Sequence, residues 1–448
     1  MADSKAIFQP FLNRRFAVSY LITMAFLATL YLIHLNKNSL FIVLIILLSL
    51  SLYLDSNKKS GQYALGILSG IACIVILYYL YQSWSTFHDI VEWDFLAFYV
   101  YGKAGADGLA FYDPASFTHI LAAIHMPYAV TSEFNASIIQ VGFCYPPTTM
   151  LMLAPIGFLD LNTANIVWRI FVLSFLVIDM ILLYRIFRIS ESRWFQVMLV
   201  VALTMTLPGS STTVALSQTN FFLLFFILLI YKEPDNWKAG MFLALAIIVK
   251  PIAAVWFLYF LINRKWKPIL SFAVTGVLIV GISIVWFGFD NFLTFFTSPP
   301  TSRIPGAVYT ETINQSMNAV FSRISMQIGM DSLFSQVNKI VIVISLILVI
   351  FTCIASYKLV KTNPKASFLI FLPLSLLIYP GCLMHYAVLL MPLFFFIITQ
   401  RDNTRLLFFL VFMLILCVSS FAACLAILIV LILYSFSRFS VFSPLRIN

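Results

Sequence analysis

The stretch MFLALAIIVKPIAAVWFLYFLI, residues 241–262, is apolar at every position except Lys250 and Pro251. The runs 16–34 and 39–54 are predominantly apolar and contain no Asp, Glu, Lys or Arg, and they have the length and hydropathy of membrane-spanning helices. The 448-residue chain is 62% hydrophobic and only 10% charged. Because a soluble protein of this length could not cover so much apolar surface with polar residues, the sequence predicts an all-α polytopic membrane protein.

The basic residues alternate with the apolar runs, and this alternation predicts the orientation of the chain. Most of the 27 Lys and Arg residues fall in clusters between the runs, and such clusters usually mark cytoplasmic loops. The loop 83–143 then lies outside the cytoplasm, with six acidic residues against Lys103 alone. This asymmetry accounts for most of the net charge of +10 without a nucleic-acid partner. The runs predict about 11 to 14 crossings, some of the shorter ones being broken or half-depth helices.

The same pattern divides the chain into membrane segments and loops. The predicted segments are N-terminal transmembrane helices over 1–82, an extracytoplasmic loop with interfacial helices over 83–143, core transmembrane helices over 144–287, a second extracytoplasmic loop over 288–335 and C-terminal transmembrane helices over 336–448. Between the first loop and the basic cluster at Arg185 an odd number of crossings is needed, but two apolar runs are present. Either YPPTTMLMLAPIGFL, residues 145–159, is a half-depth helix, or the Arg185 cluster is not cytoplasmic.

Two charged residues border apolar helices on the predicted outer side. Lys250 is either a lysine whose ammonium reaches the membrane surface at a hairpin turn or a cation that holds a phosphate. Asp94 begins the segment DFLAFYVYGKAGADGLAFYDP. Its aromatic rings are expected to anchor a helix that lies in the plane of the membrane interface. Its carboxylate is a candidate helix N-cap and also a candidate general base acting on a hydroxyl group, and the two roles are compatible.

Six motifs follow one another in an order that resembles the glycosyltransferase family 87 membrane mannosyltransferases of the GT-C superfamily. They are DFLAFYVYGKAGADGLAFYDP, YPPTTMLMLAPIGFL, SQTNFFLLFFILL, VKPIAAVWFLYFLINRKWK, NQSMNAVFSR and YPGCLMHYAVLLMP, spread over roughly residues 90–400. Each motif alone is weak, so the resemblance depends on their consistent order. The chain departs from the family pattern at Ser217, where glycine often precedes Gln-x-Asn, and at 382–386, where Ser-Trp and paired histidines are common.

The resemblance implies a GT-C-like transmembrane helix bundle that transfers a sugar, with mannose expected, from a polyprenyl-phosphate-linked donor to an extracytoplasmic acceptor hydroxyl with inversion. A lipid-linked donor also fits a site outside the cytoplasm, where nucleotide sugars are not expected. In this scheme Asp94 is the general base, and Lys250, Arg323 and His385 bind the donor phosphate. The expected substrate-binding residues are Glu92, Tyr99, Tyr145, Gln218, Asn220, Asn314 and Gln315. Each assignment has an alternative. His385 is instead a hydrogen-bonded histidine at the membrane interface, and the amide side chains of Gln218, Asn220, Asn314 and Gln315 instead cap helices.

Two other classes of function are left open: a transporter or flippase of lipid-linked saccharides, and an assembly subunit without activity. Transporters are often built from internal repeats, and the sequence shows no convincing repeat. No residue spacing predicts a metal site or another cofactor, although a divalent cation is left open. The expected partners are a polyprenyl-phosphate-linked sugar donor, a glycan, lipid or protein acceptor, and the lipid bilayer, with no nucleic acid. The expected location is the bacterial inner membrane, with the active site facing the periplasm or the exterior.

Overall fold

The computed structural model describes residues 93–124, 143–187, 208–297, 311–329, 336–398 and 419–436. Within these ranges the chain is helical, and its β-structure is one isolated bridge between Asn314 and Leu383. The predicted runs 16–34 and 39–54 and the predicted site residue Glu92 lie outside the described residues, as do the apolar runs 63–82, 195–207 and 406–418. The helices are α1 (Trp93–Ala106), α2 (Pro114–Ala123), α3 (Met150–Gly157), α4 (Leu161–Phe187), α5 (Pro208–Ala215), α6 (Asn220–Lys232), α7 (Trp237–Val249), α8 (Val255–Ile262), α9 (Trp266–Phe287), α10 (Phe289–Thr297), α11 (Met317–Gln327), α12 (Val337–Thr362), α13 (Pro364–Leu369), α14 (Phe371–Ile378), α15 (Met391–Ile398) and α16 (Ser420–Phe436).

Three helices in the described ranges, α4, α9 and α12, are long and apolar enough to cross a membrane. Their most apolar windows have mean hydropathies of 2.4, 2.4 and 2.8. At 1.5 Å per residue they extend about 33 to 40 Å, compared with about 30 Å for the hydrocarbon core of a bilayer. Large apolar side chains point outward from them, among them Val285, which is 89% exposed. Such faces require lipid rather than water, and the predicted all-α polytopic membrane fold is confirmed.

The apolar stretch 241–262 forms two short helices instead of one continuous helix. Helix α7 ends at Val249, and Lys250 has an extended backbone with φ −155° and ψ 130°. Pro251 causes this break, because its ring disfavours a helical conformation in the preceding residue and it has no N–H group for an intrahelical hydrogen bond. A 3₁₀ turn over Pro251–Ala254 then leads into α8. The break places Lys250 between two helices, inside the bundle.

The segment 145–159 forms a short element before the first long helix of the described residues. A 3₁₀ turn over Pro147–Thr149 leads into α3, whose eight residues span about 12 Å, less than half of the hydrocarbon thickness. Helix α4 follows and is long enough to cross alone. Of the two interpretations that the sequence leaves open, this geometry favours the half-depth helix.

Helix α3 packs against α1 at an unusually short distance between the two backbones. A Cβ atom added to Gly157 would lie 2.3 Å from the carbonyl oxygen of Gly102, and one added to Gly102 would lie 2.3 Å from the carbonyl oxygen of Leu153. Only residues without a side chain allow this approach. The two glycines therefore set the position of α1, the helix that carries Asp94.

The aromatic rings of α1 pack against other parts of the protein, whereas the sequence predicts that they anchor an interfacial helix in the membrane. Phe98 packs on Trp168 of α4 with ring centroids 5.7 Å apart, and Tyr101 packs edge-on against Phe143 at 5.0 Å. Both α1 rings are at most 6% exposed. Amphipathic rings suit a lipid headgroup region and a helix contact equally well, so composition alone does not separate the two environments.

Candidate active site

Asp94 lies in the first turn of α1, one residue after the helix begins, so it is inside the helix and not at the N-cap position. A carboxylate in this turn is favoured by the partial positive charge at the helix N-terminus. The side chain is half-buried, and its Oδ2 accepts a hydrogen bond from Nε2 of Gln218 at 2.5 Å. The two residues are 124 positions apart in the chain, so this contact is a product of the tertiary fold.

Gln218 is presented by a tight turn between α5 and α6. Ser217, just before it, has a positive φ of 53°, a conformation that glycine adopts most readily. This positive φ gives a physical reason why glycine often precedes Gln-x-Asn in the family that the sequence resembles, at the position that Ser217 occupies here. The carbonyl oxygen of Ser217 accepts a hydrogen bond from Nε1 of Trp168 at 2.8 Å, which ties the turn to α4.

Lys250 is fully buried, and its ammonium group is surrounded by the same turn and by an aromatic ring. Nζ donates to Oε1 of Gln218 and to Oδ1 of Asn220, both at 2.8 Å. It also lies 4.1 Å from the centroid of the Tyr386 ring, within the range of a cation–π interaction. Asp94, Gln218, Asn220 and Lys250 thus form one charge network, and that name is kept for these four residues below.

A second set of contacts joins the charge network to the 3₁₀ turn over Met384–Leu390. Nδ2 of Asn220 donates to Oγ1 of Thr213 at 3.1 Å and to the backbone carbonyl of His385 at 3.0 Å. Oγ1 of Thr213 donates to the same carbonyl at 3.0 Å. The imidazole ring of His385 stacks on Tyr386, with ring centroids 4.9 Å apart, and the residue is 2% exposed. His385 therefore borders the network with its backbone, while its ring packs on the tyrosine that faces Lys250.

Burial raises the pKa of the Asp94 carboxyl group above its ordinary value. The hydrogen bond from Gln218 and the charge of Lys250 act in the opposite direction and offset part of this rise. The result is a carboxylate that binds a proton more readily than a solvated aspartate does, next to partners that stabilise its charged form. These are the properties of a general base.

Tyr99 belongs to α1 and Tyr145 precedes the 3₁₀ turn before α3, and both residues take part in hydrogen bonds within the protein. The hydroxyl of Tyr99 donates to the carbonyl of Leu159 at 2.9 Å, and the ring borders a cavity of about 300 Å³ that Lys103 and other polar residues line. Tyr145 accepts a hydrogen bond on its backbone carbonyl from the hydroxyl of Tyr112 at 2.7 Å. The charge of Asp94 acts on the Tyr145 hydroxyl, so that side chain lies near the candidate base.

The predicted residues Asn314 and Gln315 join the segment 311–316 to the 382–384 turn, and Arg323 of α11 holds that segment. The backbone N–H of Gln315 donates to the carbonyl of Cys382 at 2.8 Å, next to the β-bridge that Asn314 makes. Nη1 of Arg323 donates to the carbonyls of Glu311 and Asn314 at 2.6 and 2.9 Å. These contacts place the Asn-Gln-Ser motif beside the turn that carries His385, and its predicted substrate contacts stay predictions.

The fold therefore brings five predicted residues together: Asp94, Gln218, Asn220, Lys250 and His385. Sequence reasoning missed Thr213 and Tyr386, which complete the surroundings of Asn220 and Lys250. The signals were weak, since Thr213 is one of several hydroxyl residues in PGSSTTVALSQTN and Tyr386 is one of 20 tyrosines. Within the described ranges, no three His, Cys, Asp or Glu side chains are grouped so that they could hold a metal ion.

Comparisons with known proteins match the region that contains most of this site. The sequence model of glycosyltransferase family 87 matches residues 143–385, slightly more than half of the chain, which includes Gln218, Asn220, Lys250 and His385 but not Asp94. A relative from Mycobacterium tuberculosis, described as a polyprenol-phosphate-mannose-dependent alpha-(1-2)-phosphatidylinositol mannoside mannosyltransferase, is 24% identical over 273 residues. The alignment covers 57% of this chain and 59% of that relative, less than two thirds of its length. No solved structure gives a significant match.

Proposed function

This chain belongs to glycosyltransferase family 87, and we propose that it transfers a mannosyl group from a polyprenyl-phosphate carrier to an acceptor hydroxyl on the extracytoplasmic side of a membrane. The observation that carries the chemistry is the half-buried Asp94 carboxylate, held by Gln218 within the charge network. The choice of donor is supported by the relative, whose description names polyprenol-phosphate-mannose.

In the proposed reaction Asp94 acts as a general base. Its carboxylate removes the proton of the acceptor hydroxyl as that oxygen attacks the anomeric carbon of the donor sugar. The bond between the anomeric carbon and the phosphate oxygen breaks, and the polyprenyl phosphate leaves with the electron pair. Attack from the side opposite the leaving group inverts the anomeric configuration and passes through an oxocarbenium-like transition state. The proton remains on Asp94 until the product leaves.

The leaving phosphate needs cationic or hydrogen-bonding partners, because negative charge grows on it as the bond breaks. We propose Arg323 and His385 for this role, since Arg323 is partly exposed and both residues belong to the joined segments 311–329 and 382–390. Lys250, a predicted third contact, directs its ammonium group at two amide oxygens and a ring instead. Glu92, Tyr99, Tyr145, Asn314 and Gln315 remain the candidates for contacts to the sugars.

A lipid-linked donor fits the architecture, because the protein is a multi-pass membrane protein with apolar faces on α4, α9 and α12 that are open to lipid. The polyprenyl chain would stay in the bilayer while its sugar reaches Asp94 and its phosphate reaches Arg323 and His385. We place the protein in a bacterial inner membrane with Asp94 facing the periplasm or exterior, following the charge asymmetry of the loops. The acceptor is a hydroxyl group on a glycan, a lipid or a protein.

The test uses the purified full-length protein in lipid nanodiscs with radiolabelled polyprenyl-phospho-mannose and a panel of acceptors, including a phosphatidylinositol mannoside and alkyl mannosides. Each assay is run with and without EDTA, so that dependence on a divalent cation is measured directly. We expect transfer to at least one acceptor and a loss of about 10²- to 10⁴-fold in Asp94→Asn, the usual contribution of a general base. The matched control is Asp107→Asn, which removes an exposed carboxylate at the other end of α1.

Two outcomes would contradict the proposal in different ways. Undiminished transfer by Asp94→Asn would remove Asp94 from the role of base. Movement of the lipid-linked sugar across vesicle membranes, with no transfer to any acceptor, would instead favour a flippase.

A further inference from the structure

One side chain, the amide of Gln218, connects the ammonium group of Lys250 to the carboxylate of Asp94. Its Oε1 accepts from Nζ of Lys250 at 2.8 Å, while its Nε2 donates to Oδ2 of Asp94 at 2.5 Å. The amide dipole is therefore aligned between a cation and an anion, and each end of it is held by the charge that favours it. Charge-assisted hydrogen bonds of this kind are stronger than those between neutral groups.

The environment of Lys250 leaves little room for a phosphate. The residue is 0% exposed, and Nζ is directed at Gln218, Asn220 and the face of Tyr386. An ammonium group has three N–H donors, so two amide oxygens and one π face account for the directions in which it can donate. A phosphate oxygen could bind Nζ only by displacing one of these neighbours, and each of them is itself buried.

We infer that Lys250 and Gln218 are positioning residues for Asp94, holding its carboxylate in place through the Gln218 amide, and that Lys250 is not a ligand of the leaving phosphate. This inference rests on the proposed function, in which Asp94 is the general base. Gln218 occupies Oδ2, whereas Oδ1 accepts no hydrogen bond from the described part of the chain. The arrangement thus presents Oδ1 to the acceptor hydroxyl and supplies a positive charge that favours the ionised form of the carboxylate and offsets part of the effect of burial.

The pH dependence of the base depends on the groups that face it from neighbouring helices. Lys250 acts on Asp94, and Asp94 in turn acts on the hydroxyls of Tyr101 and Tyr145. Helix α3, packed along α1, has no titratable side chain, and α2 has only the exposed His119, which lines the same cavity as Lys103. Helix α4 contributes Arg169, whose Nε donates to Asn165 at 3.0 Å. Among these groups Lys250 is the cation whose charge lowers the pKa of Asp94.

The experiment compares pH profiles of mannosyl transfer, with kcat and KM for the donor, in the wild type, Lys250→Met and Gln218→Met. Removing the ammonium group leaves the carboxylate without its cation, so the acid limb of the profile should move to higher pH by about one unit or more. In the same variant kcat should fall at neutral pH, while KM for polyprenyl-phospho-mannose stays within about threefold of the wild type. The matched control is Lys238→Met, which removes an exposed lysine at the start of α7 and should leave both quantities unchanged.

Gln218→Met retains the side chains of Lys250 and Asn220 and removes the amide that joins Lys250 to Asp94, so it tests the inference if Lys250→Met does not fold. Loss of the hydrogen bond to the charged carboxylate should again move the acid limb upward, by a smaller amount. Lys250→Arg, which retains the charge, should restore part of the wild-type profile. An unmoved acid limb together with a tenfold or larger rise in donor KM in Lys250→Met would overturn the inference and make Lys250 a phosphate ligand. The proposed function is tested separately by Asp94→Asn. If Asp94→Asn is inactive but the acid limb of the pH profile is unmoved in both Lys250→Met and Gln218→Met, this inference alone is overturned.

Discussion

Asp94 and Asp179 are both withdrawn from water by the helix bundle, but their surroundings differ completely. Asp94 is half-buried and accepts a hydrogen bond from Gln218, and the charge of Lys250 lowers the pKa of its carboxyl group. Asp179 is fully buried in the membrane-spanning helix α4, and neither of its oxygens has a hydrogen-bond partner in the described part of the chain. Around it α4 packs on α6 through aromatic contacts, including those of Phe175 and Phe187.

The difference suggests which of the two acids is the better candidate for a catalytic base, and burial alone does not decide it. An ionisable residue inside a membrane helix is a functional candidate by default, and Asp179 meets that criterion better than Asp94 does. Catalysis by a base, however, requires a carboxylate whose charged form the protein stabilises and whose oxygen a substrate can reach. Of these two acids, Asp94 has the hydrogen-bond partner and the nearby cation and is also the more exposed, so the network around the acid is more informative than its depth.

The largest predicted effect comes from the same substitution made at both positions. Asp94→Asn should reduce mannosyl transfer by about 10²- to 10⁴-fold, because an amide cannot remove the proton of the acceptor. Asp179→Asn should leave transfer within about twofold of the wild type, since it lies outside the charge network. Initial rates under saturating donor measure both. A comparable loss in both variants would break the comparison and make Asp179 part of the machinery.

The pH profile of the wild type gives the second prediction. Burial raises the pKa of Asp94, and the base acts only when it is deprotonated, so the rate should fall as pH drops through that raised pKa. Below it the rate should decrease about tenfold per pH unit. The profile of kcat/KM between pH 4 and pH 8 checks this, with Asp179→Asn expected to follow the same curve. An acid limb at or below the ordinary aspartate value of about 4 would contradict the raised pKa.

A smaller effect is expected from moving the helix that carries Asp94. Gly157→Ala places a Cβ atom 2.3 Å from the Gly102 carbonyl oxygen, so α1 and α3 must separate. We expect a loss of about 1–3 kcal/mol in stability, as for other overpacked contacts, together with reduced transfer. Thermal unfolding in detergent and the transfer assay measure the two effects. The control is Gly276→Ala in α9, where an added Cβ atom meets nothing within 4 Å.

The smallest effect concerns the unpartnered acid. Asp179→Leu replaces a carboxyl group that has no hydrogen bond with an apolar side chain of similar size. Because the desolvation of that carboxyl group is not offset by any contact, the variant should be more stable by about 1 kcal/mol and equally active. A rise in the midpoint of thermal unfolding with unchanged transfer supports this, whereas a fall would show that Asp179 contributes to packing or binds a partner.

Much of the fold could be predicted from the sequence because the relevant signals are local. Hydropathy identified the membrane class, and Lys250 before Pro251 marked a break inside an apolar stretch. The environment of the α1 rings could not be predicted, because aromatic residues suit lipid interfaces and helix contacts alike. The choice between a half-depth helix and an exception to the charge rule at 145–159 also needed the observed length of α3.

The candidate site was predictable as a set of residues but not as a network. Asp94, Gln218, Asn220, Lys250 and His385 could each be chosen because polar groups are costly next to apolar helices and so suggest a function. Their partners could not be inferred, and the phosphate role predicted for Lys250 did not anticipate its enclosure by two amides and Tyr386.

The sequence by itself determined that the chain lies in a membrane, that one apolar stretch breaks at Lys250–Pro251 and which polar residues are unusual, since hydropathy, proline geometry and residue chemistry act over a few neighbouring positions. Tertiary structure alone decided that Gln218 joins an acid 124 residues away to a lysine 32 residues away. Hydrogen bonds of that span depend on how separate helices pack, and no local pattern in the chain records them.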